Sequence, residues 1–195
     1  MQPEITDDLW DSLSLGSYYR YTSFRVQDRA DLFTPSMPKC DAIIGCEFFD
    51  DTSGNPGVRL LLDFKSKRLL PDACPSRPRV EPPPGTIALP MHKDTVRGWS
   101  ISVLVNGEPV DFILSTADDS VFIPLLPTVF DTSKGIKGTK QMVPITLQLG
   151  AQSVKVTATF EPDLGNPILG LSLLSRYRVV IDYRDKILYL EPPTP

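Results

Sequence analysis

One histidine, His92, is all this chain of 195 residues carries. A Ser-His-Asp triad would therefore have to be built on His92 alone. Its setting, LPMHKDTVRGW, follows a proline-rich stretch and is expected to be an exposed lead-in to the first clear strand rather than a site. Cysteine is scarce as well. Cys40, Cys46 and Cys74 are odd in number and show no Cys-x-x-Cys spacing, which argues against a zinc site and a disulfide framework and leaves three reduced thiols. No metal and no cofactor are expected. Long hydrophobic runs are missing: stretches such as Leu60 to Leu62 and Val179 to Ile181 fall far short of a membrane span. The start, MQPEITDDLWDSL, has neither a basic region nor an apolar core of the secretory kind, so a cytoplasmic setting is the default expectation. A basic patch is also absent, since 20 Lys and Arg are interspersed among 24 Asp and Glu for a net charge of -4, and nucleic acid is not the expected partner.

Proline, by contrast, is plentiful and clustered. PDACPSRPRVEPPPGTIALP, from Pro71 to Pro90, is expected to form neither helix nor central strand and to run as an extended linker. It divides the chain into residues 1-75, a linker at 76-95, and residues 96-193. The last of these reads as short apolar strands separated by turns. Trp99 to Val105 alternates, Asn106-Gly107 is a hairpin signal, and Val110 to Leu114 returns. Val121 to Ile123 follows; Pro144 to Leu149 and Val154 to Phe160 make a further hairpin, and Arg178 to Asp182 with Ile187 to Leu190 the last. Leu171 to Tyr177 is the one stretch that reads as helix. The pattern predicts an all-β domain with one short helix.

Residues 1-75 contain an echo of its final part. DAIIGCEFF followed by VRLLLDFKSKRLLP parallels NPILGLSLL followed by YRVVIDYRDKILYL, so that Ile43-Ile44-Gly45 matches Ile168-Leu169-Gly170 and Asp63-Phe64-Lys65 matches Asp182-Tyr183-Arg184. Two units of one fold in tandem are expected, the first represented by its back half only.

Taken in order, SISVLVNGEPVDFIL, STADDSVFIP, GIKGTK and NPILGLSLLSRYRVVIDYRDKILYL resemble the retropepsin type of aspartic peptidase, found in retroviruses, LTR retrotransposons and some domesticated cellular proteins. The resemblance implies an acid-protease closed β-barrel preceded by a partial second copy. It places Ser115, Thr116 and Ala117 on the family's Asp-Thr/Ser-Gly turn. It also places Gly135, Ile136, Lys137 and Gly138 on the substrate-covering flap, and Ile168, Leu169 and Gly170 on the apolar-apolar-Gly motif beneath the turn.

Serine at position 115 decides the functional expectation. Two facing carboxylates sharing one proton activate a water and polarise the scissile carbonyl. A hydroxyl can replace neither, and no histidine is placed to make it a nucleophile. Asp118 and Asp119 lie in the same turn but are expected to point elsewhere, and Asp51-Thr52-Ser53 and Asp131-Thr132-Ser133 read as ordinary turns. The resemblance thus implies a non-catalytic pseudo-peptidase that pairs with a second lobe or copy, as a homodimer or an intramolecular tandem, or holds an extended peptide by strand addition. Two other readings stay open: an active aspartic endopeptidase of which this chain is a fragment or inactivated form, and a structural part of a transposon-derived polyprotein.

Overall fold

The computed structural model describes residues 9–15, 18–24, 49, 57–72, 81–94, 98–116, 118–124, 141–161 and 165–193. Strands β1 (Leu9–Leu15) and β2 (Tyr18–Phe24) form a separate antiparallel pair. The remaining strands make one long sheet that closes on itself at one end. They are β3 (Arg59–Asp63), β4 (Arg68–Asp72), β5 (Ile87–Asp94), β6 (Gly98–Val105), β7 (Glu108–Leu114), β8 (Val121–Ile123), β9 (Gln141–Leu149), β10 (Gln152–Phe160), β11 (Ile168–Leu169), β12 (Arg178–Asp182) and β13 (Ile187–Glu191). Their lateral order is β4-β3-β12-β13-β5-β6-β7-β11-β8-β10-β9, and β9 pairs back onto β6 through Leu104↔Gln148 and Val105↔Leu147. The six strands from β6 to β9 therefore form a closed barrel, which removes the open edge that each of those strands would otherwise present. The all-β barrel with one short helix expected from the sequence is borne out.

Strict alternation builds the barrel wall. In β6, Ile101, Val103 and Val105 are buried while Ser102 and Leu104 face out. Phe112 of β7 and Leu147 of β9 are fully enclosed, each contributing about 2–3 kcal/mol by leaving water. The β6–β7 hairpin turns on Asn106 (φ 51°) and Gly107 (φ 99°), the two left-handed positions that a type I′ turn demands and that Asn-Gly supplies. Asn106 also fastens the barrel seam. Its N–H donates to the Thr146 carbonyl at 3.0 Å, and its side-chain oxygen accepts the Thr146 N–H at 3.1 Å.

Helix α1 (Leu171–Leu174) is one turn long, shorter than the stretch to Tyr177 that the apolar pattern suggests. Gly170 at its N-cap offers no side-chain cap, and the chain must straighten by Arg178 to enter β12. Leu173 and Leu174 anchor it in the core.

The proline-rich stretch is the larger departure. Residues 87–94 are not linker but β5, a strand internal to the sheet, paired with β13 on one side and β6 on the other. Ile87, Leu89 and Met91 alternate into the core and supply the apolar surface that outweighs the proline penalty. Pro90 is tolerated because the ladder changes partner there: pairing with β13 ends at Pro90↔Ile187 and pairing with β6 begins at Met91↔Ile101. Among the described residues no helix is long and apolar enough to cross a membrane.

Candidate functional site

Strand β11 lies between β7 and β8, parallel to the first and antiparallel to the second, with Ile168 beside both Ile113 and Phe122. The chain leaving β7 must therefore pass over the end of β11 before it can come back as β8. Residues 115–120 make that passage, and this is the turn singled out in the sequence. The Ser115 N–H donates to the Leu169 carbonyl at 3.2 Å, continuing the β7–β11 ladder by one rung.

Gly170 lies directly under the arch. The carbonyls of Asp118 and Asp119 accept the N–H groups of Leu171 and Ser172 at 2.7 and 2.8 Å, which ties the turn to the start of α1. A methyl group at position 170 would overlap the carbonyl oxygens of Ser120 and Asp118, so only glycine fits between turn and helix. All the atoms it would meet are backbone of the turn, so no side chain can move aside to make room.

The Ser115 hydroxyl donates to Asp118 Oδ2 at 2.6 Å. This corrects the expectation that Asp118 points elsewhere: the turn folds its fourth residue back on the first, so the Asp118 carboxylate lies against the serine side chain. Ser115 and Asp118 are half-buried, whereas Thr116 and Asp119 are exposed. Ala117 and the flap candidates Gly135, Ile136, Lys137 and Gly138 lie outside the described residues, as do Asp51 to Ser53 and Asp131 to Ser133. The turn thus brings together a hydroxyl and one carboxylate, held by a charge-assisted hydrogen bond. Such a pair can accept further hydrogen bonds, whereas water activation by a shared proton takes two facing carboxylates.

His92 has a setting the sequence did not disclose. It lies on β5 opposite Ser100 of β6, diagonal to Ser102, and Ser102 faces Asp111 of β7. His92 Nε2 is 3.0 Å from the Ser102 oxygen and 3.8 Å from Asp111 Oδ1. The Ser102 hydroxyl, however, donates to Asp111, so its proton is directed away from the histidine. With the order of a catalytic relay reversed and all three side chains on the outer face, this is a cross-strand polar cluster. Nothing in the one-dimensional sequence aligns these positions, because each comes from a different strand.

The remaining polar candidates are structural. Asp182 Oδ1 accepts the N–H groups of Arg184 and Asp185, each at 3.1 Å, and so shapes the β12–β13 turn. Asp63 accepts the Ser66 N–H at 3.0 Å in the β3–β4 turn. Hydrogen bonds from Ser66, aided by the Arg178 guanidinium, hold the Asp63 carboxyl below its ordinary value. Arg178 Nε is 3.7 Å from Glu191 Oε2, while Arg176 donates to the Ser172 and Lys155 carbonyls. A cavity of about 370 Å³ is lined by Asp63, Lys65, Ser66, Ser175, Tyr177, Arg178 and Pro193, with none of the described residues of the 115–120 turn in its wall. Burial raises the Tyr177 phenol against the opposing charge of Arg176, so at neutral pH it is a hydrogen-bond donor.

No protein-family pattern matches this chain, and no curated protein matches it. Among solved structures, the chain is similar to a retropepsin-like aspartic protease from Rickettsia conorii, at 22% identity over 54% of this chain and 89% of that one, with a TM-score of 0.43. It is also similar to the EIAV protease complexed with the inhibitor HBY-793, at 19% identity over 38% of this chain and 83% of that one, with a TM-score of 0.30.

Proposed function

We propose that this chain is a retropepsin-like pseudo-peptidase, a domain that keeps the active-site turn in outline, has no carboxylate dyad, and holds an extended peptide segment without cutting it. The observation that carries the reading is the Ser115–Asp118 hydrogen bond. At the apex where the resemblance calls for an aspartate, the side chain is a neutral hydroxyl whose proton is already committed to a carboxylate three residues on. A serine whose proton is given to a carboxylate in this way is badly placed to serve as a general acid or a nucleophile. The reading is supported further by the crossing of β11 and Gly170 beneath the turn, which builds the scaffold that the chemistry would need.

In this reading the ligand is an extended peptide lying across the turn, bonded through its main chain. The test is to incubate the intact chain with a library of unstructured peptides and measure both retention and hydrolysis. Retention of a subset with every peptide recovered whole is expected. Cleavage would contradict the loss of catalysis, and the absence of any retention would contradict peptide holding.

A further inference from the structure

The cavity of about 370 Å³ lies where the antiparallel register of β3 and β12 brings two bends of the chain together. Asp63 closes β3, Arg178 opens β12, and the two stand opposite each other. The β3–β4 turn therefore sits beside the segment by which the chain leaves α1. The turn contributes Lys65 and Ser66 to the wall, and that segment contributes Ser175 and Tyr177. Pro193, just past β13, completes it.

Donors outnumber acceptors in this wall. Asp63 is its one carboxylate and is already engaged: Oδ1 accepts the Ser66 N–H at 3.0 Å, and the Ser66 hydroxyl and the Lys65 N–H also donate to the side chain. Each of these bonds holds the carboxyl down more strongly than the Arg178 guanidinium does, although Arg178 is its cross-strand neighbour. On its other side Arg178 faces Glu191, which stands outside the wall. Glu191 Oε2 is 3.7 Å from Arg178 Nε, beyond hydrogen-bond reach, and this buried Nε has no hydrogen-bond partner. Burial keeps the Tyr177 phenol protonated, and Ser175 adds a hydroxyl. Two cationic side chains, a phenol and a hydroxyl thus stand around one carboxylate whose acceptor capacity is largely used. Pro193 and the Tyr177 ring make part of the wall apolar.

We propose that this cavity binds a small organic carboxylate with an apolar body, the carboxylate taken by Arg178, Lys65 and the Tyr177 hydroxyl and the body lying against Pro193. A carboxylate is the match because the guanidinium can hold it through two parallel bonds, leaving lone pairs for the phenol and the Ser175 hydroxyl. The volume is at the small end of ligand sites and suits an acid about as large as one aromatic residue. A free acid and the C-terminal residue of a peptide share that chemistry. No described residue of the 115–120 turn takes part, so the inference is independent of what Ser115 does.

The test titrates the intact chain with three probes while backbone amide shifts are followed. Phenylacetate represents a free acid, N-acetylphenylalanine represents a chain terminus, and phenylacetamide keeps the shape of the first without its charge. Saturable binding of an acid is expected, with shifts centred on residues 63–66 and 175–178 and with phenylacetamide weaker by about tenfold or more. Tighter binding of phenylacetate assigns the site to a free acid, and tighter binding of N-acetylphenylalanine assigns it to a chain terminus. Tyr177→Phe keeps the ring, removes one donor, and is expected to weaken the better acid by about tenfold. Lys65 is exposed, so Lys65→Gln leaves the fold intact and is expected to weaken it by about two- to fivefold. The absence of saturable binding by either acid overturns the proposal, as does equally tight binding of phenylacetamide. Shifts centred elsewhere, or binding indifferent to both variants, overturn it too.

Discussion

Ser115 and Asp118 are joined side chain to side chain at 2.6 Å across a turn of four residues. The hydroxyl is the donor and the carboxylate the acceptor. Replacing Ser115 by alanine is expected to cost about 1.5–3 kcal/mol, the usual worth of a hydrogen bond to a charged acceptor, read from urea unfolding at neutral pH. Asp118→Asn should recover part of that loss in the alanine background, since the stranded charge is removed.

Ser115→Asp tests the same geometry with the opposite electrostatics. Two carboxylates would then lie within hydrogen-bond reach, and they are stable only when sharing a proton. One folded-state pKa rises above its unfolded value, so the variant binds more protons when folded and gains stability as the pH falls. Its melting temperature is expected to climb between about pH 7 and pH 4 relative to wild type. Exchanging both residues, Ser115→Asp with Asp118→Ser, restores one hydroxyl and one carboxylate and should abolish that dependence.

Gly170→Ala is expected to be the most damaging small substitution in the barrel. Its methyl meets two backbone carbonyls that cannot withdraw without breaking the turn or uncoupling α1. A loss of about 3 kcal/mol or more is expected by thermal or urea unfolding. Gly165→Ala, where nothing lies within 4 Å of an added methyl, is the matched control and should leave stability within about 0.5 kcal/mol of wild type.

The barrel seam depends on Asn106. Alanine at this position removes the acceptor for the Thr146 N–H and forces a left-handed φ on a residue that resists it. The cost should be about 1–2 kcal/mol, and amide exchange should quicken first at Thr146. Asn106→Gly keeps the turn and loses only the side-chain bond, so it should fall between the two.

Asp63 sets an acid limit on the β3–β4 turn. Its folded-state pKa lies below the ordinary 3.8, so the unfolded chain takes up the proton first and the turn loses support as the pH falls through that range. Above the ordinary value the contribution is complete and flat. Asp63→Asn should therefore be less stable than wild type at neutral pH by a constant margin that closes in strong acid, measured as unfolding midpoints against pH.

Much of the barrel is legible in the chain because its signals are local. Alternation in WSISVLV and the Asn-Gly turn define β6 and β7 without any distant partner, and the glycine of ILG marks the crossing at 170. The back-half echo is legible too, since RLLLD and RVVID can be compared directly. That they pair with each other is not, because register between strands so far apart in sequence depends on the closed fold. β5 was obscured by the proline count around it: three buried side chains at alternate positions outweigh one proline that falls where the ladder changes hands. Asp118 escaped for a different reason. Residue type marks a turn, but which way its fourth side chain folds depends on the backbone held by Gly170 and α1.

The most direct test of the central claim is hydrolysis of a diverse peptide library by the intact chain from acidic to neutral pH, with and without pepstatin. No cleavage above the buffer control at any pH is the predicted result, with the same outcome for Asp118→Asn. Pepstatin-sensitive cleavage by the wild-type chain that Asp118→Asn abolishes would contradict it, and would make the Asp118 carboxylate a working member of an aspartic peptidase site.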